Sequence, residues 1–227
     1  MAEEKISQNI NQSQGYNATF RKKWREKLER AGIYERYMPC TFRNMMVNRT
    51  LPQSIKAAMR QAAEYAKNFN ENARVGKGVI FIGPVGTMKT SMAVAIAQEL
   101  MQNKHSVMFI PLAELFDNLI RMSKQKDNVE YLAFENRLKN VSLLILDDLG
   151  TEYPGDWIRN KVDAIISYRY NRLKPICITT NLIPNELAER YQERVYDRLK
   201  GSSALITVVA ESVRKEPAII QDRGRYR

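Results

Sequence analysis

An apolar run at Val79–Ile82 passes directly into Gly83-Pro84-Val85-Gly86-Thr87-Met88-Lys89-Thr90, which opens a helix-forming stretch, SMAVAIAQEL. This strand–loop–helix succession constrains the fold more than any other feature of the chain. A helix N-terminus carries unpaired N–H groups and partial positive charge, and a glycine-bearing loop lets the backbone approach a phosphate closely. The pattern sought is G-x-x-x-x-G-K-[ST]. Gly83, Lys89 and Thr90 satisfy it, and Pro84, Val85, Gly86, Thr87 and Ser91 complete the expected phosphate cradle. Lys89 is expected to reach the β- and γ-phosphates of ATP, and the Thr90 hydroxyl to sit on Mg²⁺.

Met88 stands where the pattern has its second glycine. Glycine accepts positive φ and close ligand approach without a Cβ, whereas methionine permits neither freely. Either the backbone at this position suits an L-residue, or nucleotide binding is impaired. The working expectation is that ATP binds with the Met88 side chain turned away from the phosphates.

Further apolar runs occur at Val107–Ile110, Leu143–Leu146, Ile176–Thr179 and Leu205–Val209. Helix-like stretches separate them, at 90–103, 112–140 with a break near Lys124–Asn128, 156–173 and 184–199. Strands alternating with helices need crossover connections, which gives an α/β fold with a five-stranded, mainly parallel sheet covered on both faces. The run at Val141–Leu146 ends in Asp147-Asp148. Acids at the C-terminal edge of such a strand lie where open α/β sheets bind ligands. Asp147 is expected to help hold Mg²⁺ and Asp148 to orient and polarise the attacking water. Asp148 is one methylene shorter than the Glu common at that position in related ATPases, which predicts slow or partner-dependent turnover. Asn181 follows the strand at 176–179 and either positions the water from the other side or simply forms a turn. The strand between loop and acid pair means that the two nucleotide-binding strands are not sequence neighbours, and with the long helix between them this favours a water-activating ATPase over a small P-loop kinase or GTPase.

Composition narrows the partners. Lys and Arg number 36 against 25 Asp and Glu, a net charge of +11. That excess suits a polyanion, nucleic acid before membrane, or else serves as a solubilising surface. The start is polar and no apolar run reaches the roughly 18 residues of a membrane helix, so a cytoplasmic protein is expected. Cys40 and Cys177 lack metal-ligand spacing and are expected to be buried free thiols. Phe20, Trp24 and Leu28 recur at four-residue steps on a helix with Thr19 as its cap and Gly32 as its stop. That stripe fits either a groove on a partner or the protein's own core. A second helix is expected after Leu51-Pro52, with Ile55, Ala58, Met59, Ala62, Ala66 and Phe69 on one face.

Taken together, GPVGTMKTS, LLILDDLGTE, ITTNL and ERVYDRLKG resemble the DnaC/IstB-like branch of AAA+ ATPases over roughly residues 32–215. The resemblance implies a P-loop ATPase domain at 32–215, preceded by a mobile tail and helical arm at 1–31 and followed by a basic tail at 216–227. It implies the first acid ligand at Asp147, the water-polarising acid at Asp148 and the first sensor at Asn181. It further implies a trans-acting arginine at Arg198, with Arg194 as the alternative, and a second sensor at Arg214. The segment GIYERYMPCTF is implied to line the adenine pocket. ATP with Mg²⁺, head-to-tail self-assembly, single-stranded DNA and a replicative DNA helicase are the implied cofactors and partners. A transposase in place of the helicase, or a nucleotide-gated adaptor without hydrolysis, are the competing readings.

Overall fold

The structure, a computed structural model, describes residues 18–124, 129–150, 155–191 and 193–214. The expected tail before residue 18, the basic tail at 216–227 and most of the expected break at Lys124–Asn128 lie outside them. Five strands form one sheet: β1 (Gly78–Ile82), β2 (Val107–Pro111), β3 (Leu143–Leu149), β4 (Ile176–Thr180) and β5 (Ser203–Thr207). Their order is β2-β3-β4-β1-β5, and every pairing is parallel. β4 therefore lies between β1 and β3, so the strand feeding the phosphate loop and the strand carrying the acids are separated by one strand.

The helices are α1 (18–30), α2 (Phe42–Met46), α3 (Gln53–Lys67), α4 (Phe69–Arg74), α5 (Lys89–Gln102), α6 (Leu112–Ser123) and α7 (Val129–Asn140). They are followed by α8 (Asp156–Asn171), α9 (Pro184–Tyr191) and α10 (Glu193–Ser202). Side chains alternate across the sheet. Val79 and Phe81 join one core with Leu143, Ile145 and Cys177, beneath α3 and α5. Ile80 and Ile82 join the other with Leu144, Leu146 and Ile178, beneath α6 and α8. Burial on both faces is why these strands read as continuous apolar runs rather than alternating ones.

Several boundaries differ from the sequence expectation. β5 runs from Ser203 to Thr207, not Leu205 to Val209. It is an edge strand whose extent is set by pairing with Gly78–Ile82, and Leu205 and Val209 are exposed. Phe69 is buried, as expected, but begins α4 instead of ending α3. Thr19 lies inside α1 and does not cap it. The four-residue series Leu187, Tyr191, Val195 and Leu199 is buried in one core, on α9 and α10 to either side of residue 192, which lies outside the described residues.

The stripe on α1 divides. Leu28 is buried in the first core and Trp24 packs against it, while Phe20 is 62% exposed. The own-core reading therefore holds for the C-terminal half of the arm. Lys27 donates to Met101 O at 2.9 Å, and Phe109 N donates to Ala31 O at 2.7 Å, which ties the arm to the β2 edge. Gly32 stops the helix at φ 86°, where a Cβ would sit 2.1 Å from Phe109 O.

Candidate nucleotide-binding site

The C-terminal ends of β1, β3 and β4 meet at one side of the sheet. A cavity of about 490 Å³ opens there, with Val85, Gly86, Thr87, Met88, Lys89, Thr90 and Ser91 on its wall. Asp148, Asn181 and Arg214 also line it, and Arg36, Tyr37 and Cys40 close the opposite side. Gly83 and Pro84 contribute through their carbonyls instead: Lys89 Nζ donates to both at 2.7 Å and to Asn181 Oδ1 at 2.7 Å. Burial lowers the pKa of Lys89, opposed by Asp148 and Asp147. Its three donors are thus fully used within the loop and across to β4. An incoming phosphate must take at least one of them, and Asn181 is the partner at the far end.

The acid pair is re-aimed by an irregularity in the sheet. The β3–β4 register shifts between Leu146 and Leu149, and Asp148 adopts φ 55°. Bulges of this kind redirect side chains at the rim of a sheet. Asp147 is buried and lies behind the cavity wall, while Asp148 reaches into the cavity. Thr179 couples them, donating its hydroxyl to Asp147 Oδ1 at 2.6 Å and accepting from Asp148 N at 2.9 Å. Burial pushes the Asp147 carboxyl up to about 6, with Asp148 adding to it and the Thr179 and Thr90 hydroxyls and Lys89 opposing it. Thr179 was missed by sequence reasoning; its only signal was a hydroxyl at the C-terminal end of an apolar strand.

Met88 occupies the left-handed region, φ 67° and ψ 19°, as the N-cap of α5. Its half-buried side chain packs against the core beneath α5 while also touching the cavity. The conformation that the glycine pattern calls for is therefore present with a methionine in place. Left-handed backbone costs an L-residue roughly 1–2 kcal/mol. That cost falls on folding, because the conformation is already formed before any ligand arrives. Wild-type protein is thus expected to bind Mg-ATP in a calorimetric titration, with Met88→Gly changing the affinity by less than about tenfold. Absence of binding by wild type, with binding appearing in the glycine variant, would overturn this account.

Gly86 does require glycine. Its φ is 83°, and a Cβ would meet Ser212 Oγ at 2.0 Å, because the segment after β5 folds back over the loop. Val208 N donates to Ile82 O at 2.7 Å and Val213 N to Gly86 O at 3.1 Å. These bonds use the last carbonyl of β1 and a loop carbonyl, and bring Val213 and Arg214 to the cavity. On the opposite wall, Gln98 Nε2 donates to Met38 O and Cys40 O at 3.0 and 2.9 Å, which pins the 34–41 segment to α5. Cys177 is buried as expected, whereas Cys40 is half-buried and lines the cavity. Burial raises its thiol pKa, opposed by a hydrogen bond with Ser91. Asn48 and Leu51 also line the cavity, and nothing in the sequence pointed to either as part of a site.

Arg198 and Arg194 lie elsewhere. Both project from α10 toward α8, where they pair with Asp163, and neither lines the cavity.

The residues present suit Mg²⁺ with a nucleotide. No group of three or more His, Cys, Asp or Glu among the described residues forms a metal cage. Mg²⁺ in nucleotide sites is held by one or two carboxylates or hydroxyls together with phosphates and water. Thr90 lines the cavity and its hydroxyl lies near enough to the buried Asp147 carboxylate to oppose the rise in its pKa, so the two hard oxygen donors are neighbours. No helix among the described residues is long and apolar enough to cross a membrane.

Comparison with known proteins agrees with this geometry. The family profile described as IstB-like ATP binding protein matches residues 52–219. The chain is 32% identical over 190 residues to the replicative helicase loader DnaC of Buchnera aphidicola subsp. Baizongia pistaciae, covering 83% of this chain and 75% of that protein. It is 27% identical over 183 residues to the DnaC of Escherichia coli K12, covering 81% and 72%. The crystal structure of the DnaC helicase loader superposes with a TM-score of 0.67 at 28% identity, covering 77% of this chain and 99% of that one. The chain belongs to the IstB-like ATP-binding protein family and has the AAA+ P-loop fold of its DnaC relatives.

Proposed function

We propose that this chain hydrolyses ATP and, assembled head to tail, loads a replicative DNA helicase onto single-stranded DNA. The observation that carries the reading is the convergence of Lys89, Asp148 and Asn181 on one cavity in a chain whose DnaC relatives match it across most of their length. The ATPase unit is taken as residues 32–215, with α1 docked on it.

Hydrolysis forms a bond from water oxygen to the γ-phosphorus and breaks the bond to the β–γ bridging oxygen. The loop N–H groups and the α5 N-terminus offer partial positive charge to the phosphates. Lys89 exchanges a loop or Asn181 contact for a phosphate oxygen. Asp148 orients the attacking water and takes up its proton, with Asn181 facing it across the cavity. Thr90 and Asp147 are the residues that would hold Mg²⁺, which, when bound, neutralises charge developing on the phosphoryl oxygens. Arg198 reaches the site of a neighbouring copy, an arrangement that generates a ring or an open spiral. A net charge of +11 suits such an assembly to the phosphates of single-stranded DNA, in a salt-dependent manner.

Two measurements test this. ATP turnover with and without single-stranded DNA is expected to be detectable in wild type, stimulated by DNA, and lost in Lys89→Ala. Affinity capture of the tagged protein with ATP is expected to recover a hexameric helicase at comparable abundance. Turnover that survives Lys89→Ala, or recovery of a transposase in place of the helicase, would overturn the corresponding part.

A further inference from the structure

Away from the cavity, a charged network joins α8 and α10. The Asp163 carboxylate, with its side chain 19% exposed, accepts from Arg194 Nη2 on one oxygen and from Arg198 Nη1 at 3.3 Å on the other. Ser167 Oγ donates to the same Asp163 oxygen at 2.7 Å and in turn accepts from Arg198 Nη1. The Arg198 guanidinium also stands 6.0 Å from the Tyr170 ring centroid. One nitrogen of the Arg198 fork is therefore committed to Asp163 and Ser167. Its Nη2 makes no hydrogen bond among the described residues.

The charges do not cancel. Two guanidinium groups share one carboxylate, so the cluster retains one net positive charge. Arg194, 60% exposed, draws on the same carboxylate and weakens its hold on Arg198, which is 25% exposed. A planar fork held at one end and open at the other is preorganised, and such groups lose little further freedom on meeting an anion.

We propose that Asp163, with Ser167, is a positioning residue that presents the open end of Arg198 to the nucleotide of a neighbouring copy. The inference rests on the reading of Arg198 as a trans-acting arginine and adds what fixes its aim. An ordinary staple between α8 and α10 would be felt by the subunit that carries it, in either role. A positioning residue is felt only in the subunit that donates the arginine.

Mixed assemblies separate these cases. Lys89→Ala subunits keep Arg198 but lack a working nucleotide site, and Arg198→Ala subunits keep the site but lack the arginine. Each alone is expected to be nearly inactive, and a mixture with ATP and single-stranded DNA to recover turnover. Adding Asp163→Asn to the Lys89→Ala donor is expected to cut that recovery at least about fivefold, in proportion to the share of an arginine's rate contribution lost when its aim is relaxed. Adding it to the Arg198→Ala acceptor is expected to leave recovery unchanged. Ser167→Ala on the donor gives a smaller loss of the same one-sided kind, and carries the test if Asp163→Asn does not fold. Equal losses on both sides, no loss, or a gain would overturn the role of Asp163. Failure of the parent mixture to recover any turnover would overturn the trans-arginine reading itself, and the positioning role with it.

Discussion

Arg198→Ala is expected to slow ATP turnover by the assembled protein by about three orders of magnitude, while an isolated chain binds ATP with nearly wild-type affinity. The size of the effect comes from the loose, charge-separated transition state of phosphoryl transfer, for which a trans arginine contributes roughly 10³–10⁵ in rate. The separation of turnover from affinity comes from position. Arg198 projects from α10 onto α8 and does not line the cavity, so its loss leaves Lys89, Thr90, Asp148 and Asn181 in place. Turnover measured against protein concentration, beside ATP titration of dilute chain, checks both halves. Wild-type turnover in the variant under assembling conditions would transfer the role to Arg194, which is the more exposed of the pair.

The second large effect falls on stability. Arg169 is fully buried on α8, and its guanidinium donates to Leu138 O at 2.9 Å, Lys139 O at 3.2 Å, Val141 O at 3.0 Å and Pro175 O at 2.7 Å. Two of those acceptors end α7, one begins the lead into β3, and one precedes β4. The last carbonyls of a helix have no partner within it and carry partial negative charge, which a buried cation satisfies. Burial lowers the Arg169 pKa to about 10, with Tyr65 opposing, so the group stays charged at neutral pH. Arg169→Met takes the guanidinium from Leu138 O, Lys139 O and Val141 O and leaves Pro175 O only the long bond from Leu144 N at 3.5 Å. Hydrogen bonds to charged groups contribute about 1.5–3 kcal/mol each and are not additive, so a loss of roughly 4 kcal/mol is expected. For a chain of this size that corresponds to a fall in midpoint of about 10 °C. Arg169→Lys is expected to recover only part of it, since an ammonium cannot span four carbonyls as a fork does. Thermal unfolding of the three proteins checks the order, and a midpoint within about 2 °C of wild type for Arg169→Met would overturn it.

Arg169 also marks where reading a sequence fails. The first arginine of SYRYNR looks like one more charge on a helix face, and only the approach of three separate chain segments reveals four carbonyls around it. Asp163 is hidden in the same way: its arginine partners are 31 and 35 residues further on. Thr179 looked like the end of a strand, yet it bridges the two acids because β3 and β4 are neighbours with a bulge between them. Met88 shows the reverse. The motif flagged it as a departure, and the backbone takes the glycine conformation anyway, because the side chain finds apolar contacts beneath α5.

The sequence by itself determined the alternation of strands and helices, the parallel sheet, and the placing of the loop and the acid pair at one edge of it. Those features are local: apolar periodicity fixes the elements, and strand C-terminal ends on one sheet must share an edge. The tertiary structure alone decided the strand order that puts β4 between loop and acids, the fold-back of Ser212–Arg214 over Gly86, and the pairing of Arg198 with Asp163. Each of these joins residues far apart in the chain, and no local preference of either partner encodes the other. They arise only when burial of both sheet faces has fixed where every helix must lie.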